Sequence, residues 1–398
     1  MEELKEIYRN RIKATPQKFT REAMNKVHWE ARLVGIRGAR GVGKTTLMLQ
    51  HLKQLKIDLS DSLFTSLDNL YFTEHDLYHL AHDFVNHGGK YLYLDEVHKY
   101  KNWSQEIKNI YDDFPELHIA FTGSSLLSLK DGNADLSRRA VMYEMPGLSF
   151  REYIKLVHGI SLPIVSLDDI IKHSDDISDE VTSKLKPLKV FNEYLQYGYY
   201  PFVTEGKDFY FQRLIEVANY IIEAEMPQLR RVETSMIPKI KQLLYIISQS
   251  APFIPNITKL SERTGISRNA MLNYLQVLHE SKLTTNTTKP NQGLSLLQKP
   301  DKIYIENTNL MYAMTGKQTN IGNVRETFFL NQLHNSGATI NISPISDFIV
   351  NNSFTFEIGG PNKDSHQIKD IPYSYIAMDN IEYGTSKKLP LWQFGLMY

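Results

Sequence analysis

Gly38, Gly43, Lys44 and Thr45, in the run "LVGIRGARGVGKTTLMLQ", stand at the spacing G-x-x-x-x-G-K-[ST]. Glycines so placed let backbone N–H groups converge on phosphate oxygens without Cβ obstruction, and the N-terminus of a following helix adds partial positive charge. On this reading Gly38, Ala39, Arg40, Gly41, Val42, Gly43, Lys44, Thr45 and Thr46 cradle the phosphates of a nucleotide. Lys44 reaches the β- and γ-phosphates, and the Thr45 hydroxyl ligates Mg2+.

Such a site needs carboxylates, and "GGKYLYLDEVHKY" offers two. Asp95 is expected to hold the metal through water and Glu96 to activate the attacking water, at the carboxyl end of an apolar strand. A third run, "LHIAFTGSSLLSL", ends in hydroxyls. Ser124 there is a candidate γ-phosphate sensor, and equally a helix N-cap. Arg138 and Arg139 follow in "DLSRRAVMYEM". Arg139 is a candidate for stabilising charge on the transferred phosphoryl group, with a surface residue or a structural ion pair as the alternatives.

The elements that must carry these groups are legible around them. Leu33–Ile36, Tyr91–Leu94 and His118–Phe121 are short apolar runs of the kind buried in parallel sheets. Met48, Leu52 and Leu55 recur at helical spacing behind the glycine loop, and "SLFTSLDNLYFTEHDLYHLAHDFVNH" adds a strand and an amphipathic helix. Strand and helix alternate, which predicts an α/β fold with a parallel sheet covered on both faces.

Composition narrows the setting. The 398 residues carry 45 basic and 45 acidic side chains, so any nucleic-acid binding must come from a local patch. With no Cys, disulfides and thiolate metal sites are excluded. The first residues, "MEELKEIYRNRIK", lack a signal-peptide core, and no apolar run approaches the roughly 18 residues of a membrane span. A soluble cytoplasmic protein without membrane contact is expected.

Together "GARGVGKTTL", "YLYLDEVHKYKNW", "FTGSSLLSL", "LSRRAVMYEMPGLSFREY" and "YLQYGYYPFV" resemble prokaryotic AAA-type P-loop ATPases with a C-terminal winged-helix and restriction-endonuclease-like region of unknown function. Arg40 matches the family's Arg in the glycine loop, Trp103 its Trp after the acidic pair, and Gly198, Tyr199, Tyr200 and Pro201 its Gly-aromatic-Pro block. Arg139 matches the family's Arg before "LSFREY", whereas the preceding Gly is replaced by Arg138. The resemblance implies an AAA-type core with ATP as its nucleotide.

Beyond Tyr153 the pattern turns helical, with a polar break at Lys172–Lys184 read as an exposed loop or solvated helix. "NITKLSERTGISRNAMLNYLQVLHESKL" reads as a helix-turn-helix, with Gly265 in the turn and Ser267 capping the second helix. Met271, Leu275 and Leu278 form its buried stripe, leaving Arg268, Asn269 and Asn273 as candidate DNA contacts beside Gln276. Arg230, Arg231, Lys239 and Lys241 are a candidate cationic supplement. The stretch Leu283–Asn307 is expected to form the hairpin of a winged helix.

From about Asn320, a helix and three short strands, "ATINISPI", "DFIVNN" and "SFTFEIGG", resemble the core of restriction-endonuclease-like folds. Asp347 and Glu357 match the two metal-holding acids, and Glu326 on the helix is a further candidate. The lysine should stand two residues after Glu357, where Gly359 lies; Lys363 is the nearest substitute. "LPLWQFGLMY" is read as a final buried strand.

These readings divide the chain into an ATPase core (1–155), a helical connector (156–230), a winged helix (231–315) and a small α+β nuclease-like domain (316–398). They point to an ATP-hydrolysing switch or motor using Mg2+ and binding DNA or a protein partner, with a homo-oligomer among the options. One alternative is a DNA-processing enzyme with a metal-dependent nuclease tail. Another is a low-turnover nucleotide-regulated signalling or defence module.

Overall fold

Two compact units make up the chain in this computed structural model, which describes residues 1–127, 136–290, 299–364 and 366–398. Unit 1 comprises Met1–Pro146 with Gln228–Arg230, and unit 2 the remainder.

Unit 1 is built on five parallel strands, β1 (Leu33–Arg37), β2 (Ser62–Ser66), β3 (Tyr91–Asp95), β4 (His118–Gly123) and β5 (Val141–Glu144), in the order β2-β3-β4-β1-β5. It is the parallel α/β core that the alternating pattern predicts. Val34 pairs with both Ala120 and Val141, so β1 is central and its apolar side chains are buried on both faces. Leu33, Leu63, Leu92, Leu94 and Phe121 are wholly buried, each contributing roughly 1.5–3 kcal/mol. Trp103 opens the helix Trp103–Asp113 and packs its ring 5.7 Å from that of Phe121. The glycine loop leaves the carboxyl end of β1, where α/β sheets bind ligands.

Unit 2 begins with helices. The polar break at Lys172–Lys184 contains the helix Ser174–Thr182, which buries Ile177 and Val181. Helix Pro187–Tyr197 ends at Gly198. Helices Ile237–Gln249, Ile257–Thr264 and Arg268–Glu280 are followed by an antiparallel pair, β6 (Thr284–Thr287) and β7 (Lys302–Ile305). The portion of the expected hairpin at 291–298 lies outside the described residues. Helix Ile321–Asn335 precedes β8 (Ile340–Ile342), β9 (Phe348–Val350), β10 (Phe354–Gly359), β11 (Ser374–Met378) and β12 (Lys388–Pro390), in the order β12-β11-β10-β9-β8. The pairs β8–β9 and β9–β10 are antiparallel, whereas β10–β11 and β11–β12 are parallel.

The expected final strand is corrected. After β12 the chain winds into a 3-10 helix, Leu391–Leu396, burying every residue of it. A continuous apolar run does not distinguish a buried strand from a buried helical turn.

The three segments expected as connector, winged helix and nuclease-like domain pack within unit 2 around buried polar bonds. Asn309 Nδ2 donates to the carbonyls of Tyr194 and Leu195, and its Oδ1 accepts from the Tyr210 hydroxyl at 2.6 Å. Gln332 Nε2 donates to the Tyr194 hydroxyl, and Ile342 N–H to the carbonyl of Thr288. Buried amides need such partners, which ties these segments together. Among the described residues no helix is long and apolar enough to cross a membrane.

Candidate functional site

The glycine loop is shaped by two close constraints. Gly43 has φ 98°, a left-handed conformation suited to glycine, and caps the helix Lys44–Gln54. A Cβ on Gly38 would stand 2.3 Å from the Met145 carbonyl oxygen, so only glycine lets β1 run this close to the end of β5. Lys44 is buried, and its Nζ donates to the carbonyls of Gly38 (2.9 Å) and Ala39 (3.0 Å). Arg21, without a motif around it, is also buried; it donates to the carbonyls of Val42 (2.6 Å) and Pro146 (2.8 Å) and so fixes the loop from behind.

Thr45, Asp95 and Thr122 converge from the loop, β3 and β4. The Thr45 hydroxyl donates to Asp95 Oδ2 at 2.8 Å, and the Thr122 hydroxyl donates to Asp95 Oδ1. That same Thr122 oxygen accepts from the Glu96 backbone N–H at 3.1 Å. It holds Glu96 in the left-handed region (φ 53°, ψ 42°), a conformation that costs a non-glycine residue about 1–3 kcal/mol. Strain of this kind keeps the carboxylate turned out beyond the strand end.

Glu96 Oε2 lies 3.4 Å from His98 Nε2 and 3.9 Å from Arg40 Nη1. His98 Nδ1 accepts from the Ser124 backbone N–H at 3.3 Å. Burial, aided by Lys99, Lys44 and Arg40, pushes the His98 pKa down to about 3, so the ring is neutral at physiological pH. Ser124 is buried, and its hydroxyl accepts from the Leu126 N–H at 3.3 Å within a turn; residues 128–135, where a following helix would run, lie outside the described residues.

Arg139 is elsewhere in the unit. Its Nε and Nη2 bind Asp112 Oδ1 (2.9 Å) and Oδ2 (3.0 Å) in a bidentate pair. It precedes Val141, which is paired with Val34 at the amino-terminal side of β1, roughly 15 Å along the sheet from the glycine loop. The structure therefore does not bring Arg139 to the phosphate site of its own chain.

In unit 2, Gly265 (φ 64°) makes the turn between the two helices, and the Ser267 hydroxyl accepts from Ala270 N–H. Arg268, Asn269 and Asn273 are exposed on the second helix, opposite buried Met271, Leu275 and Leu278. The cationic supplement is largely spoken for: Lys239 donates to the Gly265 carbonyl, and Lys241 pairs with Glu223.

The tail residues come together. Lys363 Nζ contacts Glu357 Oε1 at 2.5 Å, and Asp347 Oδ2 accepts from Ile358 N–H at 2.7 Å. A Cβ on Gly359 would lie 2.4 Å from Lys363 Cβ, so the Lys363 stem occupies the space that a side chain at 359 would enter. Glu357 is 4% exposed, and its Oε2 is buried without a hydrogen-bond partner. Burial and the nearby Asp347 and Glu357 charges raise the Glu326 pKa to about 7. Burial likewise raises Asp347 and Glu357. Two residues without a sequence signal complete the group: the Tyr304 hydroxyl donates to Glu326 Oε2 at 2.9 Å, and the Lys302 charge favours ionisation of all three acids. Among the described residues no three His, Cys, Asp or Glu side chains are placed to hold a metal ion by themselves.

Two family models match separate stretches of the chain. Residues 30–154 match the family model of the AAA domain. This segment is similar to AAA domains. Residues 188–320 match a domain of unknown function, DUF8612. Uncharacterized protein MJ1637 of Methanocaldococcus jannaschii is 26% identical over 264 residues, 63% of this chain and 55% of that protein. The chain thus spans about half the length of that curated relative. Among solved structures, AMPPCP-bound DnaA from Aquifex aeolicus matches at 15% identity and TM-score 0.26, over 70% of this chain and 87% of that one. C. elegans PCH-2 matches at 16% identity and TM-score 0.25, over 62% and 60%. The matched segment contains the glycine loop, Asp95, Glu96, Ser124 and Arg139.

Proposed function

We propose that the chain is an ATP-hydrolysing switch or motor. The observation that carries this reading is the convergence of Thr45, Asp95 and Thr122 beside a strained, partly exposed Glu96 at the end of the glycine loop. Backbone N–H groups of the loop and Lys44 grip the β- and γ-phosphates, Lys44 leaving its two carbonyl acceptors to do so. One hydroxyl and one carboxylate, Thr45 and Asp95, fit Mg2+, which is held by few protein groups and completes its shell with phosphate and water. Bound there, Mg2+ supplies charge neutralisation for the phosphates. Glu96 takes the proton of the attacking water as its oxygen forms a bond to the γ-phosphorus and the bond to the ADP oxygen breaks. The arginine for this site comes from a second copy of the chain. Purified protein with Mg2+ and ATP should release phosphate, and its mass should rise with ATP; absence of turnover with and without double-stranded DNA would sink the reading.

A second reading concerns the tail. We propose a metal-dependent phosphodiester-cutting site in which Lys363 stands in for the lysine lacking at Gly359. The orphaned Glu357 Oε2 beside Asp347 favours it, because a buried carboxylate oxygen without a donor suits a cation. Asp347 and Glu357 would hold that cation, with further positions filled by phosphate and water, and Lys363 would orient the attacking water. Arg268, Asn269 and Asn273 are the DNA-contacting residues in this reading. Supercoiled plasmid with Mg2+ or Mn2+ should be nicked by the wild type and stay intact with Asp347→Ala. Plasmid left intact by the wild type leaves the tail as a binding fold.

A further inference from the structure

His98 lies one turn beyond the Asp95-Glu96 pair, is 3% exposed, and connects two groups that hydrolysis must coordinate. Its Nδ1 accepts from the Ser124 backbone N–H, at the carboxyl end of β4. That bond fixes the tautomer: in a neutral ring the proton must then sit on Nε2. Nε2 is 3.4 Å from Glu96 Oε2, yet it is buried and without an aligned hydrogen-bond partner. An unmet buried donor beside a carboxylate is a bond waiting for a small rotation, and catalytic bonds often tighten only with substrate present.

We infer that His98 is a positioning residue for Glu96, donating from Nε2–H to Oε2 and coupling the carboxylate to the end of β4 through Ser124. The inference rests on the reading of Glu96 as the base in ATP hydrolysis. In this role His98 sets the orientation in which Glu96 meets the attacking water. His98 keeps its own proton throughout.

Two features of the surroundings support this role over that of a plain core histidine. The ring is neutral because burial and three neighbouring cations disfavour imidazolium, so His98 orients Glu96 without the full positive charge that would weaken it as a base. Arg40 Nη1, at 3.9 Å from the same Oε2, is a competing cation carried by the glycine loop. His98 offers Glu96 a neutral partner in its place. A shift of Ser124 at the end of β4 then reaches Glu96 through one rigid ring.

The test is steady-state ATP hydrolysis by the full chain carrying His98→Leu and His98→Gln, with ATP-analogue binding and thermal melts on each. Leu fills the space without a donor. Gln can accept from Ser124 N–H and donate to Glu96, as the ring does. His98→Leu should lower kcat by about 10- to 100-fold, with KM and analogue affinity changing less than about threefold. His98→Gln should recover most of the loss. In the Glu96→Gln background His98→Leu should add little further loss, since the two act as one unit. Should His98→Leu fail to fold, His98→Asn, one methylene shorter than Gln, reads the same loss of reach. Wild-type kcat in the Leu and Asn variants, or a Gln variant as slow as Leu, overturns the inference while leaving the ATPase reading intact. A wild-type protein that does not hydrolyse ATP removes the underlying reading itself.

Discussion

The glycine-loop group of unit 1 and the acid-lysine group of unit 2 both bring charged and polar side chains together, by different routes. In unit 1 the key groups lie at the carboxyl ends of neighbouring parallel strands. Thr45, Asp95 and Thr122 meet because β1, β4 and β3 are adjacent in register. In unit 2 the groups come from a helix (Glu326), the approach to β9 (Asp347), β10 (Glu357), the turn after it (Lys363) and the neighbouring strand β7 (Lys302, Tyr304). Parallel topology puts equivalent ends at one edge, so the first site is a property of the sheet. The second depends on packing between separate elements, and its cost is visible: buried carboxylates whose proton affinities are raised.

If unit 1 carries the chemistry, its site should respond sharply to single changes. The largest expected effect is Glu96→Gln, which keeps the shape and removes the base. Its kcat should fall about 10²- to 10³-fold with ATP affinity nearly unchanged. Undiminished turnover breaks the assignment of Glu96. Lys44→Ala comes next: losing the buried ammonium should weaken ATP binding by roughly 100-fold in calorimetry, the scale of two strong charge-assisted bonds. Tight ATP binding in that variant would show that the loop amides alone grip the phosphates.

What is legible in the sequence follows the same contrast. The glycine loop and the Asp95-Glu96 pair are contiguous, so their spacing and flanking apolar runs expose them. The order of strands that joins Thr122 to Asp95 is not written in any motif. Arg21 has no local signature, because its partners, Val42 and Pro146, are distant backbone carbonyls. His98 stands beside the acidic pair, but its meaning depends on the Ser124 N–H. In the tail, Asp347 and Glu357 are picked out by the resemblance to restriction-endonuclease-like folds, whereas the approach of Lys363 to Glu357 depends on the turn after β10. Tyr304 and Lys302 carry no signal because they belong to a segment whose pattern reads as another domain. The buried amides of Asn309 and Gln332 join segments that composition separates. The stretch after Pro390 reads as a strand because all its residues are apolar or buried, leaving no periodicity to choose between a strand and a helical turn.

The smallest effect, and the one that tests how strained the second site is, concerns pH. Glu326 has its pKa raised from 4.5 to about 7 by burial and by Asp347 and Glu357. Below pH 4.5 the group is protonated in both folded and unfolded chains and contributes no difference. As pH rises through the interval to 7, the unfolded chain gives up the proton while the folded one retains it. The folded state therefore binds more protons there, and its stability falls with rising pH, by up to about 3 kcal/mol before the curve levels above about 7. Glu326→Gln keeps an acceptor for the Tyr304 hydroxyl and removes the ionisation. Urea denaturation at about pH 5 and about pH 8 should show the wild type losing stability across that interval relative to Glu326→Gln, the gap reaching about 2 kcal/mol. Equal pH slopes in the two proteins would mean that solvent or a bound cation already neutralises the group. Adding a chelator at about pH 8 distinguishes these causes: removing a cation held by the acids destabilises the wild type and opens the gap, whereas simple solvation leaves the slopes equal.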